Sequence, residues 1–145
     1  MKIFKVSFIP VSRIGGEIYM ASDLETNKKN VAEFYDLIIN KKDFESARRF
    51  IGNRYKQHNP LVGDGPEGLK AFINFLKTNY PEAKSEIKKI IAEGNYVVLH
   101  VHSFRTPKVQ RAIIEIFRLE NGKIDEHWDV IQEVPEMSAN PNGMF

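Results

Sequence analysis

The groups on this chain that can move protons are four histidines and a set of carboxylates, and there is no cysteine. That absence excludes disulfides, thiolate metal sites and thiol nucleophiles. Three of the histidines fall in the last third of the chain: His100 and His102, and then His127, which precedes Trp128 and Asp129, with Glu115 between the two groups. An imidazole titrates near neutrality, and a carboxylate withdrawn from water becomes a stronger base. Such a set can take a proton from a carbon α to a carbonyl and protonate the oxygen that becomes negative. Glu115, flanked by Ile114, Ile116 and Phe117, suits the base, and His102 or His100 suits the proton donor. His58, in Gln57-His58-Asn59-Pro60, belongs either to a turn or to the same site.

These residues need strands to hold them. His100 and His102 alternate onto one face of a strand over Tyr96 to Phe104, opposite the aliphatic Val97, Leu99 and Val101. Arg111 to Leu119, the turn at Asn121-Gly122 and Lys123 to Gln132 form a β-hairpin. Alternation in its second arm groups Trp128 with Ile124 and Val130 as a core residue and sends His127 and Asp129 to the other face. A bulge would exchange the two sets, so either can face inward. Lys84 to Ala92 is a further strand.

Three helices precede the strands. Ser22 to Glu25 reads as a capping box opening a helix with Val31, Phe34, Tyr35 and Ile38 on one face, ending near Asn40. Asp43 to Ile51 is a shorter helix, and Arg54 to Pro60 is a brief extended piece. Asp64 opens the third helix, with Leu69, Phe72, Ile73 and Leu76 as its apolar stripe. Helices followed by antiparallel strands give an α+β domain. Residues 1–20 are expected to be a dispensable N-terminal extension, read through from an upstream start, and 21–145 the single domain.

At 145 residues, with 42% hydrophobic and 28% charged residues, the chain suits one globular domain. The net charge of +2 comes from scattered Lys and Arg pairs flanked by acids, so no nucleic-acid partner is expected. No apolar run is long enough to span a bilayer, and a cytoplasmic protein is expected. Both faces of the strands are apolar enough to need cover, one from the helices and the other from a second copy of the chain, so a homodimer is expected.

The sequence resembles the SnoaL-like polyketide cyclase group of the nuclear-transport-factor-2-like, or cone-fold, superfamily over residues 24–145. The matching stretches are Tyr55-Lys-Gln-His-Asn-Pro60, Gly65-Pro-Glu-Gly-Leu69, His100-Val-His102, Glu115-Ile-Phe-Arg118, Glu120-Asn-Gly-Lys-Ile124 and Glu126-His-Trp-Asp-Val130. The resemblance implies three N-terminal helices packed on a strongly curved, mainly antiparallel sheet around an internal conical pocket. It implies acid–base catalysis of aldol-type cyclisation, condensation or isomerisation, without metal or organic cofactor, on a small apolar or carbonyl-containing molecule. Carried onto this chain, the catalytic set is Glu115, His102, His100 and His58, and the substrate contacts are Trp128, Asp129, His127, Phe117 and Tyr35. The family pattern has Asp where this chain has Glu115, one methylene longer. Two other readings stand beside this one: a non-catalytic ligand-binding or dimerisation module, and a metal enzyme using His100, His102 and a carboxylate.

Overall fold

The computed structural model describes residues 11–14 and 16–145; the first ten residues of the expected extension lie outside them. Strands β1 (Val11–Ile14) and β2 (Glu17–Met20) pair antiparallel as a small sheet of their own. Helix α1 (Ala21–Tyr35) follows directly. Its N-cap is Met20, with no side-chain cap, so the capping box expected at Ser22 does not set the start. The helix expected to run to Asn40 instead widens after Tyr35 into one π-turn, Asp36–Asn40. Asn40 fastens this turn to the sheet: its amide nitrogen donates to Ser85 O (3.1 Å) and its oxygen accepts Ser85 N–H (2.8 Å).

Helix α2 (Phe44–Ala47) is capped by the Asp43 carboxylate, which accepts Ser46 N–H at 3.0 Å, and tightens into a 3₁₀ turn over Arg48–Phe50. Strand β3 (Ile51–Gln57) begins earlier than the expected extended piece. Helix α3 (Gly65–Asn79) has Pro66 in its first turn, where the missing N–H costs nothing. Strands β4 (Lys84–Glu93), β5 (Tyr96–Thr106), β6 (Val109–Glu120) and β7 (Lys123–Glu133) then meander antiparallel. The sheet order is β3-β7-β6-β5-β4, and β3 alone runs parallel to its neighbour. Asn121 (φ 51°) and Gly122 (φ 73°) make the tight β6–β7 turn, a conformation that favours exactly such an Asn-Gly pair.

Register shifts in β3, β4, β5 and the β6–β7 pair bend this sheet. Its inner face meets α1 and α3: Val31, Phe34, Leu69 and Ile73 pack with Val97, Leu99, Val101 and Phe117, all under 3% exposed. Phe34 meets Phe117 edge to face at 5.9 Å. This is the expected α+β cone of three helices on a curved, mainly antiparallel sheet.

The register sorts every candidate residue. Paired residues across neighbouring strands share a face. One inner row runs Ile90–Leu99–Glu115–Asp129, and the next Ala92–Val97–Phe117–His127. The outer rows are Lys89–His100–Ile114–Val130 and Ile91–Val98–Ile116–Trp128.

Candidate active site

Inner-face residues from β3, β5, β6 and β7 and the end of α1 enclose a cavity of about 110 Å³, several times the space a single water needs. Its wall is largely apolar, with Ile38, Ile39, Leu69, Phe72, Leu76 and Ile113 among its lining residues. Glu115 is set into this wall and is 6% exposed. Its Oε1 accepts the Tyr35 hydroxyl at 2.9 Å, and its Oε2 lies 2.7 Å from His127 Nε2. Tyr35 stands on the last turn of α1, so the helix delivers a phenol to a carboxylate on the sheet.

The other face of the imidazole is held from β3. His127 Nδ1 lies 2.8 Å from Gln57 Oε1, and that oxygen also accepts the Asn59 N–H at 2.8 Å. A backbone N–H can only donate, so the Gln57 oxygen is fixed as an acceptor and His127 Nδ1 must carry hydrogen. One proton therefore occupies the Nε2–Oε2 hydrogen bond, whichever atom it sits on. Asn59 is oriented in the same way: its Oδ1 accepts Leu61 N–H at 2.8 Å, which leaves its Nδ2 to donate to Asp129 Oδ2 at 2.6 Å.

Sequence reasoning missed Gln57 and Asn59, although their motif was recognised. The signal was strand alternation in β3: Tyr55 is buried, His58 is exposed, and Gln57 and Asn59 line the cavity between and beyond them. Tyr55 takes φ 42° beside the register shift of β3. That left-handed geometry costs a non-glycine residue on the order of 1–2 kcal/mol, and it lies directly before the strand segment that aims Gln57 at His127.

Charge at the site is set by burial. Desolvation, then the neighbouring Glu115 charge, hold the Tyr35 phenol well above its ordinary range, so it donates at any working pH. The Asp129 carboxyl is raised first by desolvation and also by Glu115, against the lowering effect of the Asn59 hydrogen bond. Glu115, His127 and Asp129 present ligand atoms within 4.8 Å of one another, a donor set that could also hold a divalent cation.

Several expected site residues lie elsewhere. His100 and His102 point to the outer face, because the aliphatic Val97, Leu99 and Val101 take the inner one. The Phe145 ring stacks on His102 at 3.9 Å, and His102 Nε2 lies 2.7 Å from Gln110 Oε1. Neither histidine shares a face with Glu115, so the trio of His100, His102 and a carboxylate does not assemble. His58 pairs with Glu126 at 2.8 Å and stacks on Trp128 at 4.7 Å, also outside the cavity. Trp128 is not the core residue expected. The register shift at Arg118/Leu119 leaves Asp125 as the extra residue between Ile124 and Glu126, which breaks the alternation with Ile124 and turns Trp128 outward. The same shift brings His127 and Asp129 in. Glu115, Phe117 and Tyr35 line the cavity as well.

A family model for SnoaL-like polyketide cyclases matches residues 29–140. No curated protein matches the sequence. Among solved structures, a proposed ketosteroid isomerase from Kribbella flavida is similar with a TM-score of 0.65 and 14% identity, over 83% of this chain and 86% of that one. A proposed polyketide cyclase from Bacillus cereus gives a TM-score of 0.64 and 21% identity, over 73% and 74%. An NTF2-like protein of unknown function from Cytophaga hutchinsonii gives 0.59 and 21%, over 73% and 89%. At these identities the neighbours establish the fold, and the family match covers most of the chain. The chain therefore belongs to the SnoaL-like polyketide cyclase family, built on the NTF2-like cone.

Proposed function

We propose that the chain is a small-molecule enzyme that moves protons at carbon next to a carbonyl, in aldol-type cyclisation, condensation or isomerisation. The observation that carries this reading is the inner-face set of a half-buried carboxylate, Asp129, beside a Glu115–His127 pair that holds one transferable proton. Asp129 has one oxygen tied to Asn59, and its burial strengthens it as a base. In this reading Asp129 takes the proton from the α carbon, and the Glu115–His127 pair gives its proton to the carbonyl oxygen as negative charge develops there. The resulting enol attacks a second carbonyl within the substrate, or regains a proton at another carbon, and the return of both protons restores the site. Tyr35 acts as a positioning residue, holding Glu115 through Oε1.

The scheme uses no cofactor, because Asp129 and the Glu115–His127 pair supply both the base and the acid. The donor set makes a bound cation the specific competing account; stoichiometric zinc, iron or manganese in purified protein, with activity lost on chelation, would replace the proton-only scheme. The direct test is exchange of α-hydrogens of β-dicarbonyl compounds in D₂O, followed by NMR. The expected result is exchange faster than buffer, falling about 10²–10⁴-fold in Asp129→Asn. Exchange no faster than in buffer between about pH 5 and pH 9 would leave a ligand-binding module.

The proposal includes a homodimer. It is supported by the outer face of the sheet, where Ile91 is 61% and Val130 69% exposed in rows that also hold Ile114, Val98 and Ile116. A second copy seated there would leave each cavity, which opens on the opposite face, complete within one chain.

A further inference from the structure

The cavity has a second polar end that the proton chemistry does not use. On the inner face, one row beyond Ile87–Val101–Ile113–Ile131, the register aligns Ser85, Ser103, Arg111 and Glu133. Arg105, two residues along β5 from Ser103, joins them, and both arginines and both serines line the cavity.

Two of these residues, Ser85 and Arg111, hold buried polar atoms without a partner. Ser85 Oγ is buried, close enough to the Tyr35 hydroxyl to influence it but outside hydrogen-bond geometry, and it has no other partner. Arg111 Nε is buried with no partner, although its Nη2 reaches the mostly exposed Glu133 at 3.1 Å. Arg105 is partly buried, lies over the Tyr80 ring at 4.9 Å, and has no ion pair among the described residues. Burial, and then the charge of Arg111, push the Arg105 guanidinium below its ordinary range. Two like charges share one half-closed space, and among the described residues Glu133 alone forms an ion pair with either of them. Leaving buried donors unmet is costly, and a ligand anion accepting from a guanidinium fork meets several at once.

We infer that the Arg105–Arg111 end of the cavity, with Ser85 and Ser103, binds a carboxylate carried by the substrate at a distance from its reacting carbon. Arg111 and Glu115 are four residues apart on β6, so their Cα atoms are about 13 Å apart. The reach of the arginine side chain shortens this to a gap that a few carbon atoms can bridge. The substrate is thereby a keto acid or diketo acid, held by its acid group so that its carbonyl meets Asp129 and the Glu115–His127 pair. Neutral polyketide-like compounds would lack that anchor.

This inference rests on the enzyme reading of the same cavity, and its test separates the two. The probes are 4,6-dioxoheptanoate, a β-diketone with a terminal carboxylate, and its methyl ester. Exchange of the hydrogens between the two carbonyls is followed in D₂O for both. The expected result is a kcat/KM at least tenfold higher for the acid than for the ester. Arg105→Met and Arg111→Met lower the acid's value tenfold or more, mainly through KM, and leave the ester's within twofold. Arg105→Lys, which keeps charge but loses the planar fork, recovers part of the loss and guards against a folding defect. Equal handling of acid and ester by the unaltered protein, or equal losses for both in the variants, would overturn the carboxylate site. If neither compound exchanges faster than in buffer, the enzyme reading falls, and calorimetric binding of the acid against the ester then decides the subsite alone. Binding of the acid that is lost in Arg105→Met would uphold it, and indifference to the carboxylate would reject it.

Discussion

The two faces of one sheet carry the same residue types and do opposite things with them. The outer face holds His58, His100, His102, Trp128 and Glu126, stacked and paired at the surface. The inner face holds His127, Glu115 and Asp129 in a cavity closed by α1 and α3. The outer imidazoles meet aromatic rings, a glutamine and the Glu126 carboxylate, which Arg118 also holds. The inner one is gripped on both nitrogens by groups whose own donors and acceptors are fixed. Counting acid–base residues does not locate chemistry; the face, and what holds each atom there, does.

The largest effects should come from breaking the inner set alone. Glu115→Gln or Asp129→Asn is expected to reduce α-hydrogen exchange by about 10²–10⁴-fold, whereas His100→Asn and His102→Asn should leave it within about twofold. Equal losses on the two faces would erase the distinction.

Next is the loop that ties Asn59, Leu61 and Val62 to the cavity. A Cβ on Gly68 would sit 2.0 Å from the carbonyl oxygen of Gly63, backbone against backbone. Gly68→Ala should therefore displace the loop from α3 and cost about 1–3 kcal/mol, read from denaturant unfolding, with lost exchange activity and unchanged outer-face contacts.

The faces should also titrate with opposite sign. The Asp129 carboxyl is raised in the folded protein, chiefly by desolvation. Its contribution to stability is fully present below the unfolded pKa and is lost as pH rises through the folded value. The proposed exchange reaction uses its charged form and should fall as pH drops through that same raised value. Glu126 is lowered to about 2, first by its hydrogen bond with His58 and also by Arg118. Its contribution is present above the unfolded pKa and is lost as pH falls toward about 2. Asp129→Asn should thus raise the melting temperature near neutrality while sharply reducing exchange. Glu126→Gln should lower it slightly near neutrality, with the difference closing in acid.

The smallest effect on chemistry is expected from Val130→Lys on the outer face, which should convert a dimer to a monomer by light scattering with exchange little changed. A monomeric parent protein would remove the proposed partner.

Much of this architecture could be read from residue order. The apolar spacing Val31, Phe34, Tyr35 marks α1, and alternation with an Asn-Gly turn marks the β6–β7 hairpin. Glu115 stood out as a lone acid in an apolar strand and is indeed buried. What period-two patterns could not supply was register. His100 lies opposite Ile114 while Leu99 lies opposite Glu115, a difference of one residue that moves an imidazole through the sheet. The extra residue at Asp125 made the same difference for Trp128 and His127. In Gln57-His58-Asn59 the histidine drew attention because it can titrate, yet the two amides beside it orient the site. Arg105 and Arg111 look like ordinary surface arginines until β5 and β6 are aligned, although Arg111 shares parity with Ile113, Glu115 and Phe117.

The π-turn over Asp36–Asn40 gives α1 a fixed length as well as a direction. Deleting one residue within it would restore ordinary helical pitch with the turns on either side facing nearly as before, since a π-turn holds one extra residue within a single turn; a residue lost from the regular part of α1 would instead rotate the turns before it by about 100°. A codon lost at this turn is thus expected to be absorbed with the phenol still hooked to the sheet, whereas one lost a few positions earlier would swing the apolar face of the helix out of place.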